Sequence, residues 1–150
     1  MKWFGAVLGF AAVFVVRPAA AQDAGLTPAV FIGANYPGAP SYLPNRPWVG
    51  ASLVVPVVWR LDFYPAIEVH GRPAEGNAIR TLMAVRVRPF AGQSPLYAGA
   101  GVLAHGEGMA ASFLAGAEVP IHAAVRPFGE MRLRGNPTFL DLVVGFRFRS

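Results

Sequence analysis

Residues 125–134 read Val-Arg-Pro-Phe-Gly-Glu-Met-Arg-Leu-Arg, and this stretch indicates the fold. All four of its charged residues, Arg126, Glu130, Arg132 and Arg134, occupy even-numbered positions, whereas the odd-numbered positions carry Val, Pro, Gly, Met and Leu. Successive side chains of a β-strand point to opposite faces. A strand at 125–134 would therefore have one charged face and one face without charge.

The same separation of charge occurs in other stretches of the chain. The charged residues that share one face are Asp62 and Glu68 in 61–70, Arg80, Arg86 and Arg88 in 79–88, Asp141, Arg147 and Arg149 in 139–149, and Glu118 in 109–119. The large apolar residues expected on the opposite face are Leu61, Phe63, Ile67, Val69, Met83, Val85, Val87, Met131, Leu133, Leu142, Val144 and Phe146. We expect one face to form a continuous apolar wall.

The whole pattern predicts eight antiparallel strands. Period-2 stretches between Gly-, Pro- and Asn-rich turns lie at about 26–36, 48–58, 61–70, 79–88, 96–105, 109–119, 124–134 and 139–149. A chain of 150 residues is too short for sixteen strands of about 10 residues, whereas eight such strands fit with their turns.

Composition excludes several other classes of protein. Cysteine is absent, so disulfide frameworks, thiolate zinc sites and catalytic thiols are excluded. Hydrophobic residues make up 54% of the chain and charged residues 14%, which is too apolar for disorder, and 17 Gly with 14 Pro is too many for a helical bundle.

The first 21 residues are typical of a cleaved export signal. Lys2 precedes an apolar run at 4–16, and the small residues Ala19 and Ala21 stand just before Gln22. The run is too short for a spanning helix, which needs about 20 residues. We expect residues 1–21 to be removed, leaving 22–150 as one domain.

The remaining chain retains no lysine, since Lys2 is the only one. A charged face that met water would be expected to carry Lys and Glu, whereas arginine with carboxylates suits a closed polar interior. Loss of Lys2 and Arg17 lowers the net charge from +5 to +3, and we predict no nucleic-acid partner. The alternation alone leaves open a soluble lipocalin-like barrel that binds an apolar ligand.

Aromatic residues concentrate near the ends of the strands. Those expected near one rim are Tyr36, Tyr42, Trp48 and Phe139, and those near the other are Trp59, Phe90, Tyr97, Phe146 and Phe148. Two such bands are typical of the aromatic girdles of a membrane-spanning barrel.

Residues 96–102 (Leu-Tyr-Ala-Gly-Ala-Gly-Val), 125–132 and 142–148, together with the export signal, resemble small outer-membrane β-barrel proteins of the eight-stranded OmpA/OmpX type. The resemblance implies an up-and-down transmembrane barrel in the bacterial outer membrane. It also implies a structural or surface-interaction role through loops whose partner is unknown, with outer-membrane lipid around the wall.

In the family that the chain resembles, the outer-membrane insertion machinery reads the last strand and its terminal aromatic residue. The residues at corresponding positions here are Leu142, Val144, Phe146 and Phe148. Arg149 and Ser150 follow Phe148, which departs from that pattern.

The chain offers little that points to catalysis or to a cofactor. Residues 99–104 match a dinucleotide fingerprint but run into a turn instead of a helix. His70, His105 and His122 lack metal-ligand spacing and are expected as polar residues at a rim. We predict no cofactor, no metal and no enzymatic activity, with an enzyme that acts on envelope lipid from the rim as an alternative.

Turn positions also predict which charges face each other, because a turn fixes the register of its hairpin. The predicted opposite pairs are Glu68 with Arg80, Glu118 with Arg126, and Asp141 with Arg132 or Arg134.

Overall fold

The computed structural model describes residues 25–35, 47–70, 79–89, 95–105, 108–135 and 139–149. They form β1 (Thr27–Asn35), β2 (Trp48–Val58), β3 (Leu61–His70), β4 (Ile79–Val87), β5 (Leu96–His105), β6 (Gly108–Glu118), β7 (Val125–Arg134) and β8 (Phe139–Phe148). The expected export signal at 1–21, with its cleavage site at Ala19 to Gln22, lies outside the described residues.

The eight strands make one closed antiparallel barrel. Each strand pairs with the next in sequence, and β1 pairs with β8 to close the wall. The predicted eight-stranded antiparallel up-and-down barrel is therefore confirmed. Within the part of the chain that the structure describes, no helix is long and apolar enough to cross a membrane.

The connections divide the barrel into two ends. The ends of β1, β3, β5 and β7 and the starts of β2, β4, β6 and β8 lie at one end, which we name the loop rim. The links β2–β3, β4–β5 and β6–β7 lie at the other end, with the start of β1 and the finish of β8, and this is the terminal rim. The β2–β3 link is the two-residue turn Trp59-Arg60, in which Trp59 adopts a left-handed φ of 47°.

Large side chains fill the interior beside glycines. Trp48 on β2 lies directly opposite Gly33 on β1, and its buried ring is perpendicular to the Phe31 ring at a centroid distance of 5.7 Å. A Cβ atom on Gly33 would overlap the Trp48 ring, so only glycine leaves room for it. The large apolar side chains of the interior thus occupy the space beside glycines, which have no side chain.

The prediction that Trp48 and Tyr97 belong to the aromatic girdles is wrong. Trp48 and Tyr97 are buried in the interior, because each stands on the inward-facing parity of its strand. Trp59 and Phe146 are exposed near the terminal rim, where Phe148 also lies. Tyr36, Tyr42 and Phe90 lie outside the described residues.

Replacing Gly33 by alanine should destabilise the barrel by about 1–3 kcal/mol, because the new methyl group must displace Trp48 in a filled interior. Equilibrium unfolding in urea, followed by tryptophan fluorescence, measures the loss. The matched control is Gly129→Ala, since a Cβ at Gly129 meets nothing within 4 Å and should change stability by less than about 0.5 kcal/mol. Equal losses in the two variants would contradict this packing.

Candidate functional site

The interior of the barrel holds every charged residue of the eight strands. The eleven that share the inward-facing side are Asp62, Glu68, Arg80, Arg86, Glu118, Arg126, Glu130, Arg132, Arg134, Asp141 and Arg147. Arg88 and Arg149 follow directly after β4 and β8. The charged side chains of the strands are therefore concentrated in the lumen, which an apolar wall encloses.

Arg132 lies at the centre of this interior and is fully buried. Its Nη1 is 2.5 Å from Glu68 Oε1, and its Nε pairs with Glu130. Its Nη2 donates to the Tyr64 hydroxyl at 3.2 Å. Because Glu68 and Tyr64 belong to β3 and Arg132 to β7, these contacts join two strands across the lumen.

Toward the loop rim, Glu68 also accepts two hydrogen bonds from Arg134 Nη2, at 2.9 and 2.8 Å. The Nε of Arg134 is 2.5 Å from Asp141 Oδ2. His70 Nε2 lies 3.4 Å from Glu68 Oε2, and the imidazole stacks on Trp48 with ring centroids 5.2 Å apart. One buried carboxylate thus organises this half of the lumen.

Toward the terminal rim, Tyr97 connects an acid to a base. Its hydroxyl donates to Glu130 Oε2 at 3.0 Å and accepts from Arg147 Nη2 at 3.0 Å. Arg147 Nη1 also donates to Glu118, whose Oε1 is 3.7 Å from Arg86 Nη1. The central contacts therefore continue into this half of the lumen.

The ion pairs nearest the mouth of the terminal rim are those of Asp62. Asp62 Oδ2 accepts from Arg86 Nη2 at 3.0 Å and from Arg88 Nη2 at 3.2 Å.

We name the arginines and carboxylates that form ion pairs with one another among the described residues the interior charge network. Its members are Arg86, Arg88, Arg132, Arg134, Arg147, Asp62, Glu68, Glu118, Glu130 and Asp141. Five positive and five negative groups balance one another. A balanced network lowers the cost of burying charge, because each desolvated group has a partner of opposite sign.

Two of the predicted opposite pairs match the backbone register, although the ion pairs differ. Glu68 stands opposite Arg80, yet among the described residues its ion pairs are with Arg132, Arg134 and His70. Asp141 stands opposite Arg132, while its ion pair is with Arg134. Long arginine side chains pass over their direct neighbours to reach carboxylates further along the lumen.

The predicted opposition of Glu118 and Arg126 is wrong. Glu118 stands opposite Phe128, because the β6–β7 ladder extends through a hydrogen bond from the Val119 amide to the Pro127 carbonyl. The resulting shift of two residues leaves Glu118 on the inward face, where it pairs with Arg147. Arg126 lies opposite Arg147 instead.

Three sequence-predicted interior arginines lie at the rims of the barrel. Arg80 lies at the loop-rim end of β4 and Arg126 at the terminal-rim end of β7, and both are half-buried. Arg149 is exposed at the terminal rim, where its amide donates to the Ala124 carbonyl at 2.8 Å. Partial burial and the neighbouring charges of Arg126 and Arg88 lower the pKa of Arg149.

The outward face of β8 carries the residues expected as an insertion signal. Leu142, Val144 and Phe146 are exposed, and Phe148 is half-buried. All four have the same orientation on the last strand of the barrel.

The described residues offer no cluster of three His, Asp or Glu side chains that could hold a metal ion. His122 accepts a hydrogen bond at Nδ1 from the Ala124 amide at 3.2 Å, in the β6–β7 link and far along the chain from His70. The hydroxyls of Ser52 and Ser112 are buried inside the barrel.

Sequence reasoning missed the two tyrosines that connect the charges, Tyr64 and Tyr97. A signal was present, because Tyr64 stands between Asp62 and Glu68 on the same parity. Tyr97 shares its parity with the small residues Gly99 and Gly101, and a Cβ on Gly116 would overlap its ring. Small residues beside an aromatic residue mark the place where that ring enters the interior.

The fold and its polar interior define a closed eight-stranded antiparallel β-barrel with an apolar outer wall. No protein-family model matches the chain, and no curated protein matches its sequence. Two solved structures are similar, both of designed proteins. One, described as "De novo design of transmembrane beta-barrels", gives a TM-score of 0.62 at 15% identity and covers 85% of this chain and 96% of that chain.

The other similar structure is the solution NMR structure of the de novo designed TMB2.3. It gives a TM-score of 0.64 at 15% identity, and the match covers 85% of this chain and 97% of that chain. At this identity the similarity shows the fold.

A double-mutant cycle should show that Glu68 acts on Arg134 and not on its direct neighbour Arg80. Glu68→Ala and Arg134→Ala should each cost about 3–5 kcal/mol, because each leaves a buried charge without a partner, and the double variant should lose clearly less than the sum. Urea unfolding of the four proteins measures the coupling.

The matched control for this cycle is the pair Glu68→Ala and Arg80→Ala. Arg80 is half-buried at the rim, so its loss should be smaller and nearly additive with that of Glu68. Additive losses in the Glu68–Arg134 cycle would contradict the ion pair.

Proposed function

We propose that the chain is an integral outer-membrane β-barrel protein with a structural or surface-interaction role. The barrel wall is held in outer-membrane lipid, and the connections of the loop rim are the parts available to a partner outside the membrane. The proposal includes no catalytic activity and no cofactor.

The observation that carries this proposal is the reversed polarity of the barrel: apolar side chains lie on its outside and charged side chains on its inside. The large apolar side chains that the barrel exposes include Ile32, Val49, Leu61, Phe63, Ile79, Met83, Val85, Val87, Val102, Phe113, Met131, Leu133, Leu142, Val144 and Phe146. Contiguous apolar surface of this extent is unfavourable in water, whereas hydrocarbon solvates it well. The charged groups lie inside, where lipid would not meet them.

The reversed polarity also weighs against the soluble alternative. A lipocalin-like barrel holds an apolar ligand among apolar inward-facing side chains. Here the lumen contains the interior charge network, and Arg86, Arg132, Arg134 and Arg147 are each at most 1% exposed. An apolar ligand would have to displace ion-paired groups.

The same filling of the lumen argues against a large pore. Eight strands enclose a space just wide enough for side chains, and here arginines and aromatic rings occupy it. We therefore assign the work of the protein to its wall and its loops and not to transport of solutes through the barrel.

Several sequence features support the bacterial outer membrane as the site of residence. The export signal expected at 1–21 would take the chain across an inner membrane, and the alternating β8 is the kind of strand that the outer-membrane insertion machinery recognises in the family that the chain resembles. Insertion would then require that machinery and outer-membrane lipid as partners.

Carbonate extraction tests the proposal directly. The full chain, expressed with residues 1–21 in a Gram-negative host, should remain in the envelope pellet after alkaline carbonate washing and should sediment with outer-membrane marker proteins. A periplasmic protein from the same preparation is the control and should be released. Release of the barrel with that control would refute the membrane proposal.

Arginine substitution along the wall provides a quantitative test of the same proposal. Val144 is 58% exposed at mid-strand, and Val144→Arg should cost about 2–4 kcal/mol if this position lies at the bilayer midplane. Unfolding from phosphatidylcholine vesicles in urea measures the change.

The control for the wall substitution is Ile121→Arg, at a residue that is 73% exposed in the β6–β7 link. It should cost only about 0–1 kcal/mol near the membrane interface. Equal and small costs at the two positions would indicate that water, and not lipid, surrounds the wall.

A further inference from the structure

The two-residue turn between β2 and β3, Trp59-Arg60, lies at the terminal rim and carries an aromatic ring that the barrel does not bury. Trp59 is 88% exposed, a larger fraction than that of any other large hydrophobic side chain among the described residues. Arg60 beside it is half-buried. Packing against the rest of the protein therefore does not account for a tryptophan at this position.

The backbone of Trp59 makes the presence of this side chain more unusual. Its φ of 47° is left-handed, and among the described residues only glycines share a positive φ with it. That conformation is unfavourable for a bulky side chain, and glycine or asparagine usually occupies it. Strained residues of this kind cluster at binding sites and other functional sites. The strain therefore points to a role of the ring outside the barrel.

Arg60 holds its guanidinium group against the face of the same ring. Its Cζ lies 4.2 Å from the centroid of the Trp59 ring, and its Nη1 donates to the Pro89 carbonyl at 3.1 Å. The Arg60 carbonyl accepts from the Arg88 amide at 3.1 Å, which continues the β3–β4 ladder into the turn. Both the backbone and the side chain of Arg60 are thus held in place.

The charge of Arg60 is not paired within the part of the chain that the structure describes. Asp62, two residues further along, forms its ion pairs with Arg86 and Arg88. Only Nη1 of Arg60 donates to a described acceptor, the Pro89 carbonyl. A guanidinium group that is fixed and keeps further donors can form two parallel hydrogen bonds with a phosphate.

The turn is continuous with the apolar wall of the barrel. Val57, Val58 and Leu61 flank it in sequence and are exposed. Val87, which stands opposite Leu61 in the β3–β4 ladder, is exposed as well. A ligand at the turn would therefore meet a positive charge at one end and apolar surface next to it.

We propose that the β2–β3 turn is a binding site for the headgroup of an anionic phospholipid, in which Arg60 donates to the phosphate and the Trp59 ring lies beside the headgroup. Tryptophan favours the interface between membrane and water, and a basic residue there attracts anionic lipid. The inference rests on the proposed function, in which lipid surrounds the wall, and adds to it a class of lipid and a place. The ligand is a lipid and not free phosphate, because the exposed ring and the flanking valines gain contacts only from an apolar group.

Native mass spectrometry measures this binding on the full chain, folded in dodecyl maltoside micelles that contain increasing amounts of phosphatidylglycerol or of zwitterionic phosphatidylcholine. The fraction of barrels that retain a lipid gives an apparent affinity, which should be higher for phosphatidylglycerol. Arg60→Gln should weaken phosphatidylglycerol binding about tenfold and remove the preference, as expected for the loss of a charge-assisted hydrogen bond.

The matched control for Arg60 is Arg80→Gln, which removes the same charge from a half-buried arginine at the loop rim and should weaken binding less than about twofold. Arg60→Lys keeps the charge without the planar fork, so its affinity should lie between those of the original protein and Arg60→Gln. Equal affinities for the two lipids, unchanged binding by Arg60→Gln, or equal weakening by Arg80→Gln would each overturn the proposed site.

Trp59→Asn separates lipid binding from a role in the fold, because asparagine tolerates the left-handed backbone. It should weaken phosphatidylglycerol binding about threefold or more, while the midpoint of urea unfolding in lipid-free micelles stays the same or rises. The control Ile121→Ala shortens an exposed apolar side chain in another link of the same rim and should change the affinity less than about twofold. A lower midpoint with unchanged lipid affinity in Trp59→Asn would assign the ring to the fold and overturn the inference.

Excess inorganic phosphate distinguishes a lipid from a soluble anion. It should leave the retained phosphatidylglycerol unchanged, whereas displacement of the lipid by phosphate alone would overturn the assignment to a lipid.

Carbonate extraction keeps this inference apart from the proposed function. A barrel that remains in the envelope pellet but shows no preference for phosphatidylglycerol would overturn the lipid site and leave the membrane proposal standing. Release of the barrel by carbonate would refute the membrane proposal and the lipid site with it.

Discussion

The pairing of Arg132 with Glu68 and Glu130 is the interaction on which the rest of the barrel depends. All three groups are buried, and each would be strongly unfavourable there without the others. Glu68 on β3 and Arg132 on β7 stand on opposite sides of the lumen, so their contact is made across the closed barrel. Closure in turn places the apolar residues between them on the outside.

The uncharged strands make this arrangement possible. Described positions of β1, β2 and β5 carry no charged residue, and their inward side supplies aromatic rings and small residues instead. Arg132 lies 4.9 Å from the centroid of the Phe31 ring on β1, and Arg147 lies 4.7 Å from that of the Tyr97 ring on β5. Ring faces attract the guanidinium groups, which stabilises buried arginine beyond what the carboxylates provide.

Sequence alone was sufficient for the strands and their two faces, because the period of 2 is a local property of the chain. It was insufficient for the ion pairs. Glu68 and Arg80 face each other in the backbone as the turn position suggested, yet Glu68 binds Arg132 and Arg134, which are distant in sequence. Which long side chain reaches which carboxylate depends on the cross-section of the closed barrel.

The errors in the prediction have the same physical origin. A turn predicted by composition is uncertain by a few residues, and the β6–β7 link shifted the register of Glu118 by two. An even shift preserves the face, so Glu118 remained inside although its opposite residue changed. Trp48 and Tyr97 were placed by their position along the strand, whereas parity and the adjacent glycines determine that they point inward.

Pairing of β1 with β8 has a consequence for the evolution and engineering of this chain. The eight strands form a ring in which every neighbour in space is also a neighbour in cyclic order. Joining the finish of β8 to the start of β1 and opening another connection would leave all pairings and all interior contacts unchanged. The linear order of strands is therefore one of several circular permutations that encode the same barrel, and the position of the chain ends is separable from the structure that encloses the charges.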